Sequence, residues 1–219
     1  MKSHLKFLLG LSVAAAIGFS SIAAQAAAIL LTSDPALGTT TTFTVTGNNG
    51  FGNPGPVSIN GITVTGNPQA TYGDASYGLN GNGNWSGGFS WVATNNSNGS
   101  ITFDLGGDYG LVGSFLNYAP GSGSDATITA LNAANVVIDS FDLNLLASIS
   151  TPGGTNAGAF RGIQSAGNDI RYFQLSGSYI LAHTLERATP ASIPEPLTLS
   201  IFSAGLVGAA ALKRRKKAA

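Results

Sequence analysis

The sequence predicts an all-β domain, an antiparallel β-sandwich of Greek-key or jelly-roll type, set between two apolar ends. Three observations predict it. Between residues 27 and 193, short runs rich in Thr, Val, Ile and aromatics alternate with Gly/Asn/Ser clusters, which is the composition of strands and turns. No apolar period of about 3.6 residues persists there over three turns, as an amphipathic helix would require. Nor does any segment of roughly 20–50 residues recur, which argues against a solenoid.

The elements follow in order. Residues 40–46 are β-branched with one aromatic and stop at Gly47-Asn48-Asn49-Gly50. Runs 57–59 and 62–65 flank Asn60-Gly61, a strong hairpin signal because both central residues of a type I′ turn need positive φ. The Gly/Asn/Ser/Tyr-rich stretch 66–88 has no sustained periodicity and is expected to be a long loop, of the kind that is often functional. Further strands are expected at 89–93, 100–105, 111–118, 126–131, 136–143, 171–175 and 179–185.

Composition restricts the chemistry. The whole chain has a formal net charge of zero, but residues 27–193 carry nine acids and three arginines and no lysine. Phosphate backbones are held by clustered Lys and Arg, so nucleic acid is excluded as a partner. The chain has no cysteine, which rules out disulfides, thiolate metal sites and cysteine nucleophiles.

The ends carry targeting signals. Lys2 and Lys6 precede an apolar Ala-rich stretch, and Ala24-Gln25-Ala26 forms an A-x-A site. Residues 1–26 therefore read as a secretory signal peptide cut between Ala26 and Ala27, with a second cut possible two residues on. A β-sandwich domain is expected over 27–189, followed by a linker and tail over 190–219. In that tail, Pro194-Glu195-Pro196 precedes an apolar segment, 197–212, and then a basic cluster, 213–217. The apolar segment would span about 24 Å as a helix, a little short of the ~30 Å hydrocarbon core. Snorkelling basic side chains make up the difference, and their charge favours the cytoplasmic side. The domain before Pro194 should then lie outside.

This tail resembles the PEP-CTERM sorting signal of Gram-negative bacteria. The resemblance implies recognition by an exosortase at Pro194, Glu195 and Pro196, transient residence in the inner membrane, and removal of the tail. It implies export across the inner membrane to the cell surface or the medium. It also implies an association with exopolysaccharide and biofilm matrix.

A second resemblance lies inside the domain. Residues 100–109, Ser-Ile-Thr-Phe-Asp-Leu-Gly-Gly-Asp-Tyr, with Leu111, Leu116 and Asn117 after them, are similar to a strand and turn of discoidin-like, galactose-binding-like jelly rolls. Trp91-Val92-Ala93 before them, and 169–175 and 179–185 later, look like neighbouring and final strands of that fold. The jelly-roll form of the sandwich rests on this resemblance. Independently, Gly106-Gly107 permits positive φ, so Asp104 and Asp108 can converge on the turn. That pair could ligate Ca²⁺ through oxygen or simply cap the turn through Asx hydrogen bonds. Members of the wider galactose-binding-like group often carry an acid in the last strand; His183 stands around there here.

No catalytic constellation stands out. His183 is the one histidine of 27–193 and is unaccompanied by a Gly-x-Ser-x-Gly elbow, so a structural role in its strand is expected. The aromatics are the better lead. Trp85, with Tyr77 and Asn84, sits in the polar loop, where an exposed ring could stack on a sugar while amides bind its hydroxyls; the other fate of Trp85 is the core. The expected function is a non-enzymatic β-sandwich that binds or organises extracellular polysaccharide. The alternatives are an enzyme acting on matrix polysaccharide and a passive structural surface coat.

Overall fold

The computed structural model describes residues 27–189 except 37, 46–49, 54, 86–88 and 95. Its described residues are all-β, with one single-turn α-helix at Leu143–Leu146 and a 3-10 turn at Asn80–Asn82. The expected signal peptide, Ala26 and the tail 190–219 with its sorting motif lie outside the described residues. No helix among the described residues is long and apolar enough to cross a membrane.

Two antiparallel sheets dominate, an arrangement consistent with a β-sandwich. The six-stranded sheet runs Val137–Asp142, Thr127–Leu131, Ile170–Ser176, Ser100–Tyr109, Ile62–Asn67, Val57–Ile59. The nine-stranded sheet has Leu111–Asn117 near its centre, paired on one side with Ala159–Gln164 and on the other with Leu181–Ala182 and Thr184–Ala188. Ile29–Leu31 and Gly50–Asn53 end its main path, and Thr39–Thr42 pairs with Thr184–Ala188. A small third sheet joins Tyr77–Gly78, Asn84–Trp85 and Thr155–Asn156.

Alternation builds the core. In the six-stranded sheet Ile62, Val64, Ile101, Phe103, Ile128, Ala130, Phe173 and Leu175 are buried, while the residues between them are mostly less buried, as a period of two demands. Phe103 stacks on Phe43, with ring centroids 5.5 Å apart, and faces Phe173 at 6.5 Å. Each such fully buried side chain contributes about 1.5–3 kcal/mol. The predicted hairpin forms with Asn60 at φ 50° and Gly61 at φ 80°. Where the chain leaves the six-stranded sheet for Ala70–Gly73 of the larger one, a Cβ on Gly66 would lie 1.9 Å from the Ala70 nitrogen. Only glycine allows that crossing.

Two expectations change. The stretch 66–88 is not one long loop: it holds the strands Ala70–Gly73, Tyr77–Gly78 and Asn84–Trp85 and the 3-10 turn. Its strands are too short to show a period: Ala70–Gly73 pairs with 91–94 and 50–53, and Asn84–Trp85 with Tyr77–Gly78 and 155–156. The strand starting at Ser100 does not stop at a Gly106-Gly107 turn but continues to Tyr109, with an irregularity in pairing between Asp104 and Tyr109. Gly106, at φ 76°, lets the strand bulge there and go on.

Candidate functional site

Residues 77–85 fold onto the outside of the larger sheet and make a second, smaller core there. Leu79, Trp85, Trp91, Ala93 and Leu181 form it, with Tyr77 packed against it. Trp85 is 0 % exposed, which corrects the reading of this residue as a sugar-stacking platform: no ring face meets solvent. Glycines around it allow the chain to close over the indole rather than opening a site. Gly158, for example, has φ 71° and would set a Cβ 3.0 Å from the Trp85 ring. Tyr77 is half-buried; its hydroxyl donates to the Thr94 carbonyl at 3.3 Å and its ring meets Trp91 edge-on at 4.9 Å. Burial, with Tyr179 nearby, pushes its phenol up to about 12. Asn84 alone of the three is exposed. Structure thus does not bring Trp85, Tyr77 and Asn84 together as a ligand surface.

His183 sits in the same outer layer. Its ring stacks on Phe89 at 5.0 Å and Phe115 at 5.8 Å and tilts against Trp85 at 5.5 Å. Burial lowers its pKa, so the neutral imidazole is favoured at pH 7. Its described ring contacts are aromatic.

Asp104 is engaged by groups of its own sheet. Asp104 Oδ1 accepts from the Gly106 N–H at 3.0 Å, which is the turn-capping geometry, and from Arg171 Nε at 2.8 Å. Arg171 Nη2 reaches Oδ2 at 3.4 Å. The carboxylate already has a guanidinium as counter-charge, and Asp108 is exposed. Among the described residues no group of three or more acids and histidines is placed to hold a metal ion. Asp104 thus takes the turn-capping alternative and an ion pair with Arg171 on a β-bulge, and this geometry lends the calcium reading of Asp104 and Asp108 no support. With each partner about a third exposed, the pair itself contributes only ~0.2–1 kcal/mol.

Asp104 of that ion pair lines a polar trough on the six-stranded sheet. The outward residues of the six-stranded sheet are hydroxyls and amides arranged in rows by the pairing. Thr65 is opposite Thr102, which is opposite Gln174, which is opposite Thr129. Gln174 Nε2 donates to Thr102 Oγ1 at 3.0 Å, and Thr129 Oγ1 lies 2.8 Å from Ser140 Oγ. The next row sets Thr63 opposite Asp104 and Asp104 opposite Tyr172. Arg171 lies over the Tyr172 ring, 5.9 Å from its centroid. The hairpin after Leu131 brings Asn135, at φ 59°, to the same place. Its turn is fixed by Asn132 Oδ1, which accepts from the N–H groups of Ala134 at 2.9 Å and Val136 at 3.0 Å. Together Thr63, Thr65, Thr102, Asp104, Asn135 and Tyr172 line an open trough of about 310 Å³. Sequence reasoning missed this trough because its residues come from three separate strands and a turn. The available signal was the repeated polar alternation of Thr63/Thr65, Thr102/Asp104 and Tyr172/Gln174.

A second polar feature lies on the larger sheet. Glu186 is 5 % exposed and accepts from Thr40 Oγ1 at 3.4 Å. Burial, then Asp34 beside it, pushes its carboxyl up to about 7. The folded protein therefore holds this proton in a range where the unfolded chain has lost it. A raised folded pKa makes the contribution to stability full below about pH 4.5 and lost as pH rises through about 7, since there the unfolded state binds fewer protons. Glu186→Gln mimics the protonated form. We expect it to remove this part of the decline, and to raise Tm at pH 8 by about 2–4 °C while leaving Tm at pH 4.5 nearly unchanged. Equal Tm for the two proteins at pH 8 would show that Glu186 carries no such proton.

Comparison of the chain with protein-family models, curated proteins and solved structures returned no match.

Proposed function

We propose that this chain is an exported, exosortase-processed β-sandwich of jelly-roll type that binds or organises extracellular polysaccharide without catalysing its turnover. The tail carries this reading: Pro194-Glu195-Pro196, an apolar segment at 197–212 and basic residues at 213–217, in that order. The prolines lack backbone donors and disfavour helix on either side of Glu195, which is the sequence argument for its presentation to a processing enzyme. The tail is then lost, and the domain stays at the cell surface or is released.

The polysaccharide part of the reading is supported by the outward face of the six-stranded sheet. It carries rows of hydroxyl and amide groups, which suit the hydroxyls of a sugar chain as donors and acceptors. A binding role is further supported by the way the acids are used. Asp104 is bound to Arg171, Asp142 caps the short helix through Leu145 N–H at 3.1 Å, and Asp125 holds Asn144 Nδ2 at 2.8 Å.

Glu195→Ala tests the delivery step. In the host cell the variant is expected to accumulate as a full-length, membrane-retained form, read by fractionation and the mass of the C-terminal peptide. Release of a shortened Glu195→Ala protein at the wild-type level would refute processing at this motif.

A further inference from the structure

We infer that the trough around Tyr172 is a subsite for a neutral hexopyranose unit within a polysaccharide chain. This inference rests on the polysaccharide-binding reading and gives it a location and a ligand class.

The groups present suit a sugar ring. Tyr172 is half-buried and supplies an apolar wall with a phenol at its tip, the combination that packs on pyranose C–H groups. Opposite it, Asp104 is held in place by Arg171 and by the Gly106 N–H. Its Oδ2 makes only the longer 3.4 Å contact and keeps lone pairs to accept a sugar hydroxyl. Thr102 Oγ1 already accepts from Gln174, so its own proton is free to be donated. Asn135 closes the trough from the neighbouring turn and is exposed. These groups offer both donors and acceptors at fixed positions, as vicinal hydroxyls require. Their anchoring in paired strands keeps the ordering cost of binding low.

Size and charge narrow the ligand. A volume of about 310 Å³ is at the lower end of small-molecule sites, roughly 300–1,000 Å³. The trough is open, and its Thr102 is paired with the half-buried Gln174 on the next strand, so a chain can run past it and need not end in it. Arg171 is already paired with Asp104, Asp108 is close enough to act on Arg171, and residues 27–193 hold nine acids against three bases. A polyuronate or sulfated chain would be repelled by this field. A neutral chain would not.

The test uses the exported protein in affinity electrophoresis against a neutral glucan, a neutral galactomannan and a polyuronate. Wild type is expected to be retarded by at least one neutral polymer and not by the polyuronate. Tyr172→Ala should weaken that retardation about tenfold or more, the usual consequence of losing an aromatic anchor. Tyr172→Phe and Thr102→Val, which keep bulk and fold, should each weaken it several-fold with Tm unchanged. If wild type binds a neutral polymer and Tyr172→Phe and Thr102→Val bind as tightly, the trough is overturned while the polysaccharide-binding reading stands. Retardation by the polyuronate alone overturns the neutral ligand class. If no polysaccharide retards wild type, both readings are overturned.

Discussion

Trp85→Ala is expected to destabilise the domain by about 3–5 kcal/mol, the range for truncating a buried large aromatic. The side chain is 0 % exposed and packs in the outer core with Leu79, Trp91, Ala93 and Leu181. Its loss removes the filling under the stretch 77–85 and the ring against which His183 leans. The indole Nε1–H is buried without a hydrogen-bond partner, a cost the native protein already bears. Trp85→Phe removes that orphan donor while keeping most of the ring, so its penalty should be much smaller, about 1–2 kcal/mol. Denaturant unfolding of the pair separates packing from polar strain. A Trp85→Ala protein as stable as wild type would return the residue to the surface and reopen it as a ligand platform.

The contrast between the predicted and observed fate of Trp85 shows what local sequence encodes here. The hairpin at Asn60-Gly61 was legible because its determinants are adjacent: two residues that tolerate positive φ between alternating strands. Strands such as Ser100–Tyr109 and Ile170–Ser176 were legible, within a few residues, because one face is apolar and the other is not. The strand Ala159–Gln164 was not, because Arg161 and Gly162 interrupt its apolar run. Arg161 is nonetheless buried. It donates to the carbonyls of Ala147 at 2.8 Å, Phe160 at 2.6 Å and Ser148 at 3.1 Å, partners that no local pattern reveals. The same limit hid the site. The polar composition around Asp104 was visible, but its opposition to Tyr172 and Thr63 is a consequence of strand register. Register is fixed by the whole sheet.

Asn82→Ala is the second large loss expected, about 3 kcal/mol, and it tests why 66–85 is ordered despite its loop-like composition. Asn82 is 3 % exposed, on the 3-10 turn. Its Nδ2 lies 3.1 Å from Asn117 Oδ1, 3.1 Å from the Tyr118 carbonyl and 2.9 Å from the Ile149 carbonyl. Its Oδ1 accepts from the Thr151 N–H at 3.3 Å. Its backbone carbonyl takes Thr151 Oγ1 at 3.0 Å and Asn156 Nδ2 at 2.7 Å. One amide therefore ties the stretch 77–85 to the central strand and to residues 149–156. Alanine keeps the backbone contacts but leaves the carbonyls of Tyr118 and Ile149 and the Thr151 N–H short of a partner. Each such buried group costs ~1–3 kcal/mol unless water reaches it. Partial water entry brings the sum down to the ~3 kcal/mol expected, which lowers Tm by about 6–12 °C at ~2–4 °C per kcal/mol. Exposed Asn84 gives the comparison: Asn84→Ala should stay within ~0.5 kcal/mol of wild type. Hydrogen exchange adds a local readout, since Asn82→Ala should speed exchange in 77–85 and 149–156 before it does so in Ser100–Tyr109. Were exchange to rise uniformly, or stability to change by less than ~1 kcal/mol, the order of this stretch would have to come from its apolar contacts with Trp85 and Leu79 alone.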